Sequence, residues 1–127
     1  MDIPDNLKYS SEHEWLAVNG KKAKVGITAY AAEQIGDIVF VDLPAVGTKV
    51  SAGKSFGVIE AVKSVSELFA PVSGTVTAAN DGVGKSPEIV AAEPYSGGWL
   101  IEIELSNPSE IDALKNAAGY RDLIASL

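Results

Sequence analysis

Between residues 7 and 105 the chain alternates apolar and polar positions in short runs separated by turn residues, which is typical of β-strands. The runs recur about every 8–12 residues, a spacing that favours an antiparallel sandwich or a flattened barrel. The clearest alternation covers 99–105, and two further runs, 56–62 and 64–70, lie on either side of Lys63. We therefore predict a mainly β fold in which Lys63 lies at or near a hairpin tip.

A hairpin is predicted close to the N-terminus. Residues 15–18 and 23–27 have strand patterns and flank the dipeptide Asn19-Gly20. That dipeptide tolerates the positive φ angles of a type I′ turn and is a strong short-range hairpin signal. In the long run at 56–62, the same alternation places Phe56, Val58, Glu60 and Val62 on one face.

A short internal helix is predicted after this hairpin. Residues 30–35 fit a helical turn, with Thr28 as the N-cap and Gly36 as a terminator in the αL conformation. Such a helix would separate the first hairpin from the β-branched run that ends at Pro44.

The C-terminal segment fits a helix that begins near residue 107. Asn107 suits the N-cap, Pro108 the first helical position and Glu110 the acidic position of a capping box. Gly119 is placed to end this helix, and a second short turn would pack Tyr120 and its neighbours on the barrel. We expect this segment to be structural.

Length and composition fit one globular domain. The chain has 127 residues, of which 46% are hydrophobic and 21% charged, as in folded rather than disordered proteins. We predict a single domain over 1–127, with a β core at about 7–105 and a helical segment at about 107–127. No apolar run approaches the roughly 20 residues that span a bilayer, so we expect no membrane partner.

The charge balance argues against nucleic acid as a partner. The formal net charge is −7, and the ten basic residues are scattered, with Lys21-Lys22 as the densest pair. Binding a polyanion requires a clustered basic face, which this sequence lacks. An acidic surface suits solubility, or docking to basic protein partners.

Few residues could support catalysis by the chain itself. The sequence contains one histidine, His13, and no cysteine, and it has no Gly-x-Ser-x-Gly nucleophile elbow. Glu12, His13 and Glu14 are adjacent, so in a strand they would point to opposite sides, which does not favour a metal site. We expect His13 to be a hydrogen-bonded structural residue. Lys63 remains as an accessible amine on a flexible stem, to which a reactive group could be attached.

The residues around Lys63 closely resemble the lipoylation segment of glycine cleavage H proteins. The matching stretches are GVIEAVKSVSE at 57–67 and APVSG at 70–74, and further blocks are HEW at 13–15, GDIVFVDLP at 36–44, PY at 94–95 and GW at 98–99. Their order and spacing also match, so the resemblance covers essentially the whole chain. Biotinyl domains usually have methionines beside the lysine, whereas this chain has Val62 and Ser64.

This resemblance implies a lipoyl/biotinyl-type flattened barrel of two antiparallel sheets, with a short internal helix and a C-terminal helix. It implies lipoate bound covalently to Lys63, in a non-catalytic carrier that shuttles the aminomethyl intermediate and reducing equivalents in glycine catabolism. The implied partners are a pyridoxal-phosphate glycine decarboxylase, a tetrahydrofolate-dependent aminomethyltransferase, a dihydrolipoyl dehydrogenase and a lipoyl-attaching enzyme. We expect a cytoplasmic, bacterial-type monomer, with a mature mitochondrial form left open.

The resemblance also implies roles for five further residues. Glu14 and Glu67, with Glu12 nearby, are expected to line a groove that receives the loaded arm and binds its protonated amine. Glu60 and Gly74 are expected to contribute to recognition of the lipoylation segment.

Two positions depart from the family pattern. Gln34 stands where several H proteins have histidine, and Ala91 where an asparagine is common. These changes put one groove contact and one loop contact in question.

Two other functions stay open. The alternatives are an H-like protein that relays lipoyl groups to other lipoate-dependent complexes, and an unmodified interaction module with the same fold.

Overall fold

The computed structural model describes residues 2–127. Its strands are β1 (Lys8–Tyr9), β2 (Glu14–Asn19), β3 (Lys22–Ile27), β4 (Ile38–Asp42), β5 (Lys49–Val50), β6 (Ser55–Ala61), β7 (Val65–Phe69), β8 (Gly74–Ala79) and β9 (Ile101–Leu105). Its helices are α1 (Ala29–Ile35), α2 (Asp81–Lys85), α3 (Ile89–Ala92) and α4 (Ala117–Ala125), with a 3₁₀ helix at Pro108–Ala113.

The strands form two antiparallel sheets around one main apolar core. The larger sheet has the order β1-β2-β3-β9-β8-β5, and the smaller has the order β4-β6-β7. Val25 and Ile103 from the larger sheet and Ile59 from the smaller are fully buried in this core. The predicted mainly β fold of two antiparallel sheets with an internal and a C-terminal helix is confirmed. No helix within residues 2–127 has the length and apolar character that crossing a membrane requires.

The first hairpin forms as predicted, but its turn has a different type. Asn19 pairs with Lys22, so the two central residues are Gly20 and Lys21. Of these, Gly20 has a positive φ of 65° and Lys21 does not. A type I′ turn requires positive φ at both central positions, whereas glycine at the first position suits type II′. The type I′ prediction is therefore wrong.

Helix α1 has the predicted N-cap and ends at the predicted glycine. The Thr28 side chain accepts a hydrogen bond from the Ala31 N–H at 3.2 Å. Gly36 has φ 86° and ψ −138°. The φ is positive as predicted, but the ψ lies far from the value of about +47° that defines αL. Gly36 therefore ends the helix as predicted, but in a backbone conformation other than αL that glycine adopts at little cost.

A bulge in β6 changes the face on which its side chains lie. The pairing with β7 shifts register between Ser55 and Gly57. Phe56 and Ile59, three residues apart, both join the core, whereas Glu60 is exposed. The prediction that Phe56 shares a face with Val58 and Glu60 is wrong, because the extra residue of a bulge reverses the alternation.

The C-terminal segment folds as two short helices, and the break between them lies before Asn116 and not at Gly119 as predicted. A 3₁₀ helix covers Pro108–Ala113, and α4 then begins after Asn116, whose side chain accepts a hydrogen bond from the Gly119 N–H at 2.8 Å. Gly119 therefore lies inside α4 and does not end a helix. The prediction of an α-helix from residue 107 to Gly119 is wrong, because Asn116 makes the N-cap hydrogen bond that Asn107 does not.

The predicted capping box at residue 107 does not form either. The Asn107 side chain accepts from the Ser109 hydroxyl at 2.6 Å and makes no cap hydrogen bond. The Glu110 carboxylate accepts instead from the Ser73 N–H at 2.7 Å and the Ser73 hydroxyl at 3.0 Å. Glu110 thus holds the 3₁₀ helix against the loop before β8, a long-range contact that outcompetes the local one.

A smaller apolar cluster attaches α4 to the N-terminal segment. Tyr9 and Tyr120 are fully buried and stack with their ring centroids 4.8 Å apart. Ile3, Leu7, Trp15 and Ala117 complete this cluster. It places the Tyr120 hydroxyl beside His13, just before the start of β2.

Candidate functional site

Lys63 lies in the turn that joins β6 to β7. The Ala61 N–H donates to the Ser64 carbonyl at 2.8 Å, which closes the turn around Val62 and Lys63. The Val62 N–H donates to the Asp37 carbonyl at 2.9 Å, so the turn is fixed to the segment after α1. The Lys63 side chain is exposed. The predicted position at a hairpin tip is confirmed.

The stem of Lys63 lies over Gly36. A Cβ atom on residue 36 would come within 3.2 Å of the Lys63 Cε and 3.6 Å of its Nζ. Any other residue at position 36 would also be strained, because φ is positive there. Glycine therefore leaves room for the lysine stem at the end of α1.

A groove of about 250 Å³ is lined by residues of α1 and β7, the elements that end and begin next to this turn. One wall is formed by α1 and the opposite wall by β7, and the segment before β2 closes the far end. The lining residues are Glu12, His13, Glu14, Ile27, Tyr30, Ala31, Gln34, Ile35, Ser66, Glu67 and Leu68. Both walls have one end next to Lys63: α1 ends one residue before Gly36, and β7 begins two residues after the lysine.

The structure brings Glu12, Glu14 and Glu67 to this one groove. The expectation that Glu12, His13 and Glu14 would point to opposite sides of a strand is wrong. Glu12 and His13 precede β2, and His13 has a φ of 73°, the one positive value among the described non-glycine residues. The chain turns at His13, so the strand alternation does not apply. Even so, residues 2–127 contain no cluster of three potential metal ligands.

Glu14 is the buried carboxyl group of the groove. It is 2% exposed, and its carboxylate accepts from the Ser10 hydroxyl at 2.7 Å and from the Phe69 N–H at 3.3 Å. Burial raises the pKa of Glu14 to about 8, although both hydrogen bonds act in the opposite direction. The group is therefore mostly protonated near neutral pH, and a cation entering the groove would favour its ionised form.

A buried tyrosine links the two sides of the groove's far end. The Tyr120 hydroxyl lies 2.9 Å from His13 Nδ1 and 2.7 Å from the Thr28 hydroxyl. The Thr28 N–H also donates to the His13 carbonyl at 3.0 Å. The segment carrying His13 and Glu14 is thus fixed to the N-cap of α1. The prediction that His13 is a hydrogen-bonded structural residue is confirmed, and burial lowers its pKa.

Sequence reasoning missed Ser10 and Tyr120 as parts of this site. Ser10 lies four residues before Glu14, a spacing that carries no recognised signal in an irregular segment. Tyr120 was expected only to pack on the barrel. Its hydroxyl is brought to His13 by the fold of α4, so no local pattern could have indicated the contact.

The two residues expected to aid recognition of the lipoylation segment lie apart. Glu60 is exposed on β6, three residues before Lys63. Gly74 is buried at the start of β8, where a Cβ atom would collide with the carbonyl oxygen of Glu104 on β9. Close packing of these strands is enough to require glycine there, and both recognition roles stay predictions.

Of the two departures from the family pattern, Gln34 lines the groove and Ala91 does not. Gln34 offers a neutral amide at the α1 wall. Ala91 lies on α3, and its side chain is exposed.

Comparisons with known proteins identify the family. A family model described as Glycine cleavage H-protein matches residues 7–126. A probable glycine cleavage system H protein from Haloarcula marismortui is 49% identical over 123 residues, covering 97% of each chain. The glycine cleavage system H protein of Myxococcus xanthus is 49% identical over 123 residues, covering 97% of this chain and 95% of that one.

A solved structure agrees with these sequence matches. The crystal structure of a glycine cleavage system H protein from Mycobacterium marinum superposes with a TM-score of 0.90 at 37% identity, covering 97% of this chain and 99% of that chain. The chain therefore belongs to the glycine cleavage H-protein family, whose role is that of a lipoyl carrier in glycine cleavage.

Proposed function

We propose that Lys63 carries lipoate through an amide on its Nζ and that the groove receives the loaded arm. The observation that carries this proposal is geometric. The exposed Lys63 lies at a hairpin tip next to the end of α1 and the start of β7, and these two elements line a groove that also contains the buried carboxyl group of Glu14.

The residues present fit such an arm in length and polarity. Helix α1 has seven residues and is about 10 Å long. It extends from Gly36, beside the lysine stem, to Thr28, which is bonded to His13. The middle of the groove is lined by the apolar side chains of Ile27, Ala31, Ile35 and Leu68, which suit a hydrocarbon chain.

Attachment would change the charge at Lys63. An amide bond forms between Nζ and the carboxyl carbon of an activated lipoyl group, the bond to the activating group breaks, and Nζ releases a proton. Lipoate, when bound, supplies a dithiolane that accepts the aminomethyl group and two electrons. The neutral amide stem can then lie along α1 over Gly36 without a lysine charge to desolvate.

Glu14 binds the protonated amine at the end of the arm. Burial keeps its carboxyl group protonated until a cation approaches, and the proton then leaves as the amine arrives. A hydrogen bond between two charged groups is stronger than one between neutral groups, and more so away from water. Glu12 and Glu67 add negative potential at the rim. Exclusion of water from the groove protects the labile cargo.

We propose that the chemistry itself belongs to the partner enzymes. A pyridoxal-phosphate glycine decarboxylase would load the arm, a tetrahydrofolate-dependent aminomethyltransferase would unload it, and a dihydrolipoyl dehydrogenase would reoxidise it. His13 is held at the end of the groove, where its Nδ1 lies 2.9 Å from the Tyr120 hydroxyl. Tethering keeps the cargo at high effective concentration for each enzyme in turn.

Replacement of Lys63 by arginine tests the attachment. Lys63→Arg keeps a positive charge but offers no amine that can be acylated. Glycine-dependent aminomethyl transfer should fall to background, while the circular dichroism spectrum stays unchanged. Transfer at the wild-type rate would contradict the proposal.

Replacement of Glu14 by alanine tests the groove. Glu14→Ala should leave lipoylation unchanged and shorten the lifetime of the loaded carrier by about tenfold, because a hydrogen bond between charged groups contributes roughly 1.5–3 kcal/mol. The measurement is release of ammonia and formaldehyde over time. Glu33→Ala is the control, since Glu33 lies on α1 but does not line the groove. Equal lifetimes for both variants would argue against a role for Glu14.

A further inference from the structure

Glu14 lines a second cavity besides the groove. This cavity has a volume of about 280 Å³ and is formed by the segment before β2, the end of β7 and the segment before α4. Ser10 lines the second cavity and not the groove, whereas Glu14 lines both. The buried carboxyl group therefore belongs to a residue that adjoins two separate spaces.

The second cavity has the room and the polar groups to hold water. A water molecule occupies roughly 30 Å³ in the liquid, so several would fit. The hydroxyl groups of Ser10 and Ser11 and the side chain of Lys115 offer hydrogen-bond partners. Ser11 and Gly53 on the lining are exposed, so water in this cavity exchanges with the solvent.

The hydrogen bonds of Glu14 decide where its proton can go. Oε2 accepts from the Phe69 N–H at 3.3 Å, and an N–H group cannot take up a proton. Oε1 lies 2.7 Å from the Ser10 hydroxyl, which can donate or accept. Within residues 2–127 the Glu14 carboxyl group has no other hydrogen-bond partner and forms no salt bridge. Among its protein neighbours, Ser10 alone can receive the proton.

The Ser10 hydroxyl is placed to serve both protonation states of Glu14. One of its two lone pairs accepts from the Glu14 N–H at 3.1 Å in either state. When Glu14 is ionised, the hydroxyl donates to Oε1. When Glu14 is protonated, Oε1 donates to the second lone pair, and the serine proton points to water in the second cavity.

The proposed function requires a route that does not pass through the groove. The amine of the cargo arrives with its own proton, so the proton of Glu14 must leave while the arm is excluding water from the groove. It must return when the arm departs. The second cavity stays open to water in both conditions, because the arm does not occupy it.

We propose that Ser10 relays the proton of Glu14 to and from water in the second cavity. In this step the Glu14 Oε1–H bond breaks and a new Ser10 Oγ–H bond forms, while a cavity water takes the proton that Oγ carried before. This inference rests on the proposed binding of the amine by Glu14. The other ionisable groups that line the two cavities with Glu14 are Glu12, His13, Tyr30 and Glu67 in the groove and Tyr9, Glu12 and Lys115 in the second cavity.

Nuclear magnetic resonance of the unlipoylated full-length chain tests the relay. The carboxyl carbons of glutamate are labelled with carbon-13, and the Glu14 signal is assigned by its absence in Glu14→Gln. In the wild type, this signal should move with pH as one averaged signal, with a midpoint near the pKa of about 8. Ser10→Ala should slow proton exchange by roughly 100-fold, as loss of a positioned proton-transfer group does. Two separate signals should then appear near the midpoint.

Two further variants make the result specific. Ser10→Thr keeps a hydroxyl group and should keep fast exchange. Ser11→Ala removes a neighbouring hydroxyl that lines the same cavity, and it should behave as the wild type. Each variant is compared at its own midpoint in dilute buffer, because loss of a hydrogen bond alone moves the midpoint and leaves the exchange fast. Circular dichroism spectra verify folding.

Three outcomes would overturn the inference: fast exchange in Ser10→Ala, equally slow exchange in Ser10→Thr, or equally slow exchange in Ser11→Ala. Failure of the proposed function looks different. In that case Glu14→Ala would leave the lifetime of the loaded carrier unchanged, while Ser10→Ala would still slow proton exchange in the unlipoylated chain.

Discussion

Glu14 is the residue in which burial and charge oppose each other most strongly. Its carboxyl group is 2% exposed, and burial raises its pKa to about 8. Hydrogen bonds from Ser10 and Phe69 stabilise the charged form without restoring the ordinary pKa. A buried carboxyl group of this kind destabilises the fold when it ionises without a counter-ion, and the proposed binding of a protonated amine in the groove would supply that counter-ion.

This explanation predicts a pH dependence of stability. The pKa of Glu14 is about 8 in the folded chain, against 4.5 for an unperturbed glutamate side chain. The folded chain therefore retains a proton that the unfolded chain releases, and the stabilisation is fully present below about pH 4.5 and is lost as pH rises through about 8. Glu14→Gln cannot ionise, so its free energy of unfolding should fall less than that of the wild type between these pH values.

Urea unfolding at a series of pH values measures this difference. The gap in unfolding free energy between Glu14→Gln and wild type should move in favour of the variant as the pH rises. Parallel curves for the two proteins would show that Glu14 ionises normally, and the account of its neutral resting state would be wrong.

At the scale of elements, α4 supports the groove without lining it. The Tyr120 hydroxyl contacts both His13 and Thr28, which belong to the two segments that meet at the groove's far end. Burial raises the pKa of Tyr120 to about 12, so the hydroxyl keeps its proton and remains a donor at neutral pH. We infer that Tyr120 is a positioning residue for Glu14.

Removal of one hydroxyl group tests this role. Tyr120→Phe preserves the stacking on Tyr9 but leaves His13 and Thr28 without their shared partner. Stability should fall by roughly 1–3 kcal/mol, the cost of leaving buried polar groups unpaired, and the loaded carrier should hydrolyse several-fold faster. The readouts are urea unfolding and ammonia release.

Tyr9→Phe is the matched control for this variant. The Tyr9 hydroxyl belongs to the same stacked pair but donates to the Pro4 carbonyl and does not contact the groove. This variant should lose stability while the lifetime of its loaded form stays at the wild-type value. If both variants shortened the lifetime equally, Tyr120 would be a general packing residue only.

Elements with local signals could be predicted from the sequence, and elements set by distant contacts could not. Thr28 and Gly36 mark the two ends of α1 because capping depends on nearby backbone groups. The bulge in β6 could not be predicted, because it lets Phe56 and Ile59 both pack into the core, and that packing involves residues distant in the chain. The capping box predicted at residue 107 does not form because Glu110 bonds to Ser73, which is 37 residues away in the chain.

The candidate site divides in the same way. The hairpin tip at Lys63 follows from two alternating strand patterns that meet there. The groove does not, because its walls come from α1, β7 and the turn at His13, whose positive φ no local pattern indicated. Glu12, Glu14 and Glu67 were expected to lie together from family resemblance, and no residue spacing by itself would have placed them in one groove.

At the scale of the whole molecule, an exposed lysine and a groove lie close to each other. The hairpin of the smaller sheet presents Lys63 to solvent, and its stem lies beside Gly36, which directly follows the α1 wall of the groove. A carrier requires both properties, since partner enzymes must reach the arm and water must be kept from its cargo.

Peptide mass spectrometry of the protein from its native cells tests the central claim most directly. The peptide that contains Lys63 should carry the mass increment of a lipoyl amide, and fragmentation should assign that increment to the Lys63 side chain. An unmodified Lys63, in cells whose other lipoate-dependent proteins are lipoylated, would contradict the account.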